Sequence, residues 1–230
     1  MIQDDVISYR QMCDSEDVQT LQRGMNYRLW TTYSVVLMSQ RGNAPYADRV
    51  HDDGVTIEYE GHDEPRTAEH PNPKHLDQPL KTQIGTLTQN GFFKKAVDDF
   101  KAGKRGPEKV KVYEKLYPGV WSLKGFFDLQ DYTIVHDGAR NVFRFILRLS
   151  EDPANKSKHT AESFHTRVIP SEVKKVVYKR DKGQCQVCGS KMNLHFDHDL
   201  PYSKGGSSVT VENVRLLCAK HNLEKGAKIQ

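Results

Sequence analysis

The chain has 230 residues, 37% of them hydrophobic and 28% charged, enough for one large domain or two modest ones, and the composition excludes a fibrous or wholly disordered protein. Its longest apolar stretch, around residues 35–38, falls far short of the roughly 20 residues that cross a bilayer, so no membrane span is expected. The formal net charge of +4 is uneven: residues 151–230 carry 14 Lys and Arg against 9 Asp and Glu, a local +5 that leaves residues 1–150 at −1. A mild basic excess suits nucleic acid, and it suits ordinary solvated surface equally well.

In chain order, the opening MIQDDVISYR begins acidic and lacks the basic start and apolar run of a secretion signal, which predicts a cytoplasmic protein. Its 4 cysteines then read as thiols or metal ligands rather than as a disulfide framework. Residues 29–38 (LWTTYSVVLM) and 56–59 have the β-branched and aromatic content of strands. Phe93, Ala96, Val97 and Phe100 follow the spacing of an amphipathic helix face, and that helix is expected to stop near Gly103.

Strands are expected again at residues 110–113, 120–127 and 132–135, with His136-Asp137-Gly138 as a turn. In VFRFILRL, Phe143, Phe145, Leu147 and Leu149 alternate with Arg144, Ile146 and Arg148, which puts one face in a core. Residues 1–152 thus read as one mainly β domain, a curved sheet or barrel with helices outside it. Residues 153–168, poor in large apolar side chains, read as a linker. Pro170-Ser171-Glu172 then opens a helix to about Arg180, and residues 169–230 form a second domain, giving an α+β fold class.

Cys185-Gln186-Val187-Cys188-Gly189 is half of a zinc knuckle: two thiolates three residues apart on a tight turn both reach one ion, and the glycine permits the reversal. Cys218-Ala219-Lys220-His221 repeats the spacing with a histidine last. Cys185, Cys188, Cys218 and His221 together suit a closed, tetrahedral, structural Zn²⁺. Cys13 stands apart from them and reads as a core or surface thiol.

Between and after these halves the chain resembles the HNH nuclease family over residues 169–228. The matching features are Asp197-His198 and the following Pro201, Gly205-Gly206, Glu212-Asn213 before Leu-Leu-Cys, Asn222, and Lys225-Gly226. The resemblance implies a ββα-metal fold and DNA cleavage. It makes His198 the general base, puts a catalytic Mg²⁺ or Mn²⁺ on Asp197 and Asn222, and has Asn213 orient the His198 side chain or its loop. Asn222 stands where the family's final histidine falls, and an amide oxygen is also a hard ligand. One imidazole, one carboxylate and one amide around a cation meet the needs of phosphodiester hydrolysis. His195 is open to two readings, as an aid to metal or phosphate binding or as a support.

Residues 24–152 resemble the SRA (SET-and-RING-associated) domain through the segment YADRVHDDGVTIEYEGHD, the strand ending in Tyr59-Glu60-Gly61, and the downstream Asp77-Gln78. That family is a PUA-like curved β-barrel that flips a modified cytosine out of duplex DNA. The resemblance implies that Tyr46 and Tyr59 stack on the flipped base, that Asp48 bonds its Watson–Crick edge, and that Glu60 lines the pocket. The two resemblances together imply a modification-dependent restriction endonuclease acting on double-stranded DNA with 5-methyl- or 5-hydroxymethylcytosine. Cutting both strands with one site per chain implies a homodimer or two successive engagements. A sequence-specific HNH nicking or homing-type enzyme and a non-catalytic DNA reader are the competing expectations.

Overall fold

The computed structural model describes residues 5–29, 32–151, 169–200 and 210–225, so the expected linker at 153–168 and the Gly205-Gly206 loop lie outside the described residues. The order is β1 (Asp5–Ser8), α1 (Tyr9–Ser15), β2 (Met25–Asn26), β3 (Ser34–Met38), β4 (Arg49–Val50), β5 (Thr56–Glu60) and α2 (Gln89–Lys101). It continues with β6 (Glu108–Tyr117), β7 (Val120–His136), β8 (Asn141–Leu149), α3 (Ser171–Arg180), β9 (Leu194–His198), β10 (Val214–Cys218) and α4 (Ala219–Lys225). The fold class is α+β, as expected.

One 10-stranded sheet runs β10-β9-β1-β7-β6-β3-β2, and β7 also pairs with β8, which carries β5 and β4. Only the β3–β6 pairing among these is parallel. On one part of the sheet, Val36 and Met38, Ile57 and Tyr59, Val110 and Val112, Phe127 and Leu129, and Phe143, Phe145 and Leu147 form the largest of its cores against the buried face of α2. That face includes Phe93, Ala96 and Val97, as the spacing predicts, while Phe100, which the spacing also put on it, is only half-buried. The helix starts at Gln89, because the Thr88 hydroxyl caps the Gly91 N–H.

Two differences from the sequence expectation have physical causes. The strands expected at 120–127 and 132–135 are one 17-residue strand, β7. The polar run between them is absorbed by an irregularity in pairing with β8 between Leu129 and Asp131, where one extra residue bends the strand without ending it. The second difference is β1, which has only Val6 and Ile7 as apolar residues and is too short to show a period. It pairs with Ser122 and its neighbours in β7 on one side and with Leu194 and His195 of β9 on the other, so the N-terminal strand splices both parts into one sheet.

The splice continues in side chains. Leu116, Tyr117 and Val120 from the β6–β7 hairpin, and Val6 from β1, pack into the C-terminal core of Ile169, Val173, Val177, Leu194, Phe196, Val214, Leu216 and Leu217. Beside it, buried Glu114 and Lys124 pair at 3.0 Å. Lys174 of α3, also buried, donates to Ser122 Oγ at 3.0 Å. Burial pushes the Glu114 carboxyl up, but Lys124 and Lys174 outweigh it and hold the group below its ordinary value. Among the described residues, no helix is long and apolar enough to cross a membrane.

Candidate metal centres and base pocket

Cys185 follows α3, and its knuckle turn is closed by Gly189 N–H donating to the Cys185 carbonyl at 2.8 Å, with Gly189 at φ +73°, a conformation that favours glycine. Gln186 N–H donates to the Leu216 carbonyl, which ties the knuckle to β10. Cys218 ends β10, and His221 lies in the first turn of α4. The ligand atoms of Cys185, Cys188, Cys218 and His221 all lie within 4.8 Å of one another. Cys188 Sγ and Cys218 Sγ are 3.9 Å apart, and His221 Nδ1 is 3.2 Å from Cys218 Sγ and 3.5 Å from Cys185 Sγ. A tetrahedral zinc with Zn–S near 2.3 Å sets sulfurs about 3.8 Å apart, so the donor set has the dimensions of a closed tetrahedral site.

Asp197 and His198 end β9, and His198 is paired with Val214 across the hairpin to β10. Asn213 closes a 3-10 turn, Val211–Asn213, just before β10. Its amide clamps the backbone beyond His198: Oδ1 accepts from Leu200 N–H at 2.7 Å and Nδ2 donates to the Leu200 carbonyl at 3.1 Å. Asp197 meets the buried ammonium of Lys225, which also donates to the His198 carbonyl, and Asn222 lies one turn earlier on α4. Thus β9 and the turn before β10 bring Asp197, His198 and Asn213 together, and α4, which carries Asn222, meets them through Lys225.

The third cluster lies under the chain between β3 and β5. Asp48 Oδ2 accepts from Ser39 N–H and Oδ1 from Glu60 N–H, both at 3.1 Å. Burial pushes the Asp48 carboxyl up to about 7, against those two N–H groups, which pull it down. Glu60 is buried and fully used: Oε2 accepts from Ala47 N–H at 2.8 Å and from Arg144 Nη1 at 3.1 Å, so it fastens the segment that carries Tyr46. Tyr59, 1% exposed, belongs to the core under α2 and donates to the Gly24 carbonyl at 2.8 Å. Tyr46 does not stack on Tyr59: the two tyrosines are linked through His62, whose ring lies 4.7 Å from Tyr46 and 6.0 Å from Tyr59.

Residues 185–228 match the family model described as HNH endonuclease. The chain carries an HNH endonuclease domain. Among solved structures, the chain is similar to the SUVH5 SRA domain in complex with hemimethylated CG DNA, at 18% identity over 66% of this chain and 90% of that one, with a TM-score of 0.46. It is similar also to the modification-dependent restriction endonuclease TagI, at 17% identity over 97% of this chain and 76% of that one, with a TM-score of 0.43. No curated protein matches it in sequence.

Inside the HNH domain, several contributors escaped sequence reasoning. Arg180 at the end of α3 donates to the Val214 and Val211 carbonyls, and Asp181 accepts from Leu216 N–H at 2.8 Å, so α3 staples the hairpin that carries His198. His195 Nδ1 lies 2.6 Å from Asp5 Oδ1, across the β1–β9 pairing, which engages that ring as a support between the two parts. Lys225 stood within the quoted family pattern, but only the fold sets its ammonium against Asp197. At the Tyr46 cluster, His62 lies inside the quoted segment without having been given a role, and Lys74 lies three residues before the quoted Asp77-Gln78.

Proposed function

We propose that this protein is a modification-dependent DNA endonuclease, in which the curved sheet of residues 1–152 reads a flipped 5-methyl- or 5-hydroxymethylcytosine and the HNH domain hydrolyses a nearby phosphodiester. The observation that carries the reading is that the Asp197–His198 end of the HNH hairpin and the acid-and-aromatic pocket under Tyr46 are built on one continuous sheet. A cutting site and a candidate base-reading site are thereby joined.

His198 takes the proton from the attacking water, and the Asn213 clamp on Leu200 holds the strand end from which His198 projects. Asp197 and Asn222 would hold a Mg²⁺ or Mn²⁺; Asp197 faces a cation already, the Lys225 ammonium, which fits a carboxylate placed for positive charge. Such an ion, when bound, stabilises negative charge on the phosphate and on the leaving oxygen. Cys185, Cys188, Cys218 and His221 would hold Zn²⁺ as a structural ion, since four protein ligands leave no position for substrate. On the reading side, Tyr46 and Tyr59 supply ring surfaces, Asp48 keeps a lone pair on each oxygen for the base edge, and Glu60 holds the wall. The second strand is cut by a second copy in a homodimer or by a second engagement.

The test is cleavage of one duplex in three forms, methylated, hydroxymethylated and unmodified, with Mg²⁺ or Mn²⁺ supplied. Preferential cutting of a modified form is expected. Equal cutting of all three would replace this reading with a nicking enzyme that recognises sequence, and binding without cutting would leave a DNA reader.

A further inference from the structure

The Tyr46 ring has two neighbours over it, His62 and Lys74. On one side the His62 imidazole stacks on it, 4.7 Å between centroids and within 5° of parallel. The Lys74 ammonium lies 4.1 Å from the ring centroid, held by the Pro45 carbonyl at 2.5 Å and Asp63 at 3.0 Å. Lys74 is the solvent-facing neighbour, its side chain 41% exposed. His62 is the inner one, adjoining Tyr59 in the core.

The imidazole is seated as a small aromatic base would be. The Tyr59 hydroxyl gives its proton to the Gly24 carbonyl, so the 2.9 Å contact between that hydroxyl and His62 Nε2 is made by an Nε2–H donor. Room for the ring depends on Gly24: a Cβ there would sit 2.9 Å from His62 Cε1 and 3.2 Å from the Tyr59 hydroxyl. Backbone motion is not free to clear the slot, because Asn90 clamps both sides of the residue, accepting from His62 N–H and donating to the His62 carbonyl, each at 2.8 Å. What is left to move is the side chain, by rotation about its own torsions. Burial lowers the imidazole to about 4, so the ring is neutral near pH 7.

We infer that the His62 imidazole occupies the place of an extruded base on the inner face of Tyr46, and is the group that such a base must displace. This rests on the modified-cytosine reading of the pocket. His62 is then a specificity-determining residue: a base enters only if its own contacts exceed those the imidazole gives up, and the affinity of the open slot is reduced by the fraction of molecules in which it is open.

The experiment is a binding titration of wild type and His62→Ala against matched modified and unmodified duplexes at one salt concentration, so that phosphate contacts cancel in the ratio. His62→Ala is expected to bind the modified duplex about tenfold more tightly, with little change for the unmodified one. A selective wild type whose selectivity falls or stays level in His62→Ala overturns the inference alone, and a fall makes His62 a wall of the slot. Equal affinity for both duplexes in both proteins overturns the modified-cytosine reading and this inference with it. Selectivity that appears only in the variant supports the inference, with the slot shut in the wild type. Because the variant has lost a largely covered ring, a second measurement uses the wild type: the His62 ring proton resonances, assigned by their absence in His62→Ala, should be displaced upfield by the Tyr46 ring current in the free protein, since the two rings are stacked. They should lose that displacement when modified duplex is saturating, and retaining it would sink the inference.

Discussion

Two of the three candidate centres of this molecule are assembled in opposite ways. The Cys3His cluster draws its ligands from two short segments, each with the same three-residue offset, at a knuckle turn and at a strand-to-helix junction. The pocket under Tyr46 draws on Gly24, Asp48, Tyr59, His62, Lys74 and Asn90, which share no repeat and no common element. A centre whose ligands must converge on one ion at fixed distances leaves its geometry in the spacing of the chain. A pocket for a flat ring needs only surfaces and a few hydrogen bonds, and these can come from anywhere the fold brings together. The difference predicts that single changes in the first region are catastrophic and that those in the second are graded.

The largest effect is expected from Cys185→Ser. Structural zinc in small domains contributes on the order of 10 kcal/mol to folding, so loss of one thiolate from a closed set should release the ion and unfold the ββα unit. Metal content by atomic emission should fall by one zinc per chain, and the melting transition of the HNH domain should move down or vanish together with cleavage. Retention of both zinc and the melting profile would remove Cys185 from the ligand set.

His198→Ala comes next, because it leaves the fold alone and removes one proton acceptor. Cleavage of a bound duplex in single turnover should slow by about 10² to 10⁴, the usual span for loss of a general base, while the dissociation constant for DNA stays near that of wild type. An unchanged single-turnover rate would dismiss His198 as the base and turn attention to other groups at the end of β9.

These expectations also mark how much the sequence disclosed. The amphipathic face of α2, the alternation in β8 and the two ligand pairs were legible because each is a local regularity, repeated at the period of its own element. The fusion of β7 and the splice by β1 were not, since a bulge and a strand of four residues have no period to detect. In the pocket, Tyr46, Asp48, Tyr59 and Glu60 were named through family resemblance, and the fold gives them unlike surroundings. Glu60 is spent on Ala47 and Arg144, Tyr59 is sunk in the core, and His62 lies against Tyr46. Residue type reveals capacity for a contact, whereas which partner claims it is decided by segments far away in the chain.

A smaller and graded effect is expected at Asp48. If its carboxylate accepts from the exocyclic amine of an extruded cytosine, Asp48→Ala leaves that amine unpaired at a cost of about 1 to 3 kcal/mol, roughly ten- to hundred-fold in affinity for the modified duplex. Affinity for unmodified duplex should hold, since it comes from phosphate contacts and salt sets it. The measurement is the ratio of the two dissociation constants in wild type and variant. An unaffected ratio would move the reading acid elsewhere in the pocket.

The smallest effect sharpens the comparison at the level of electrostatics, because N–H groups outweigh burial at one acid and burial outweighs them at the other. Burial pushes the Cys185 thiol up, yet N–H groups of Cys218, Cys188 and Val187 aimed at its sulfur bring it down to about 6. For Asp48 the same burial wins over the N–H groups of Ser39 and Glu60, and the carboxyl rises from 3.8 to about 7. A folded value above the unfolded one means that the folded state holds its proton longer, so the stability this group contributes is fully present below about pH 4 and is lost as pH rises through 7. Between pH 6 and 8 that loss amounts to about 1 kcal/mol, the free energy of one pH unit of differential proton binding. Asp48→Asn is neutral at every pH and should abolish this component, so the difference in urea-unfolding free energy, wild type minus variant, should become less favourable to wild type from pH 6 to 8 and then level off. A difference that stays constant across that range would mean that Asp48 is already ionised at pH 6, and its carboxylate would then face the base as an acceptor throughout the neutral range, with no proton of its own to donate.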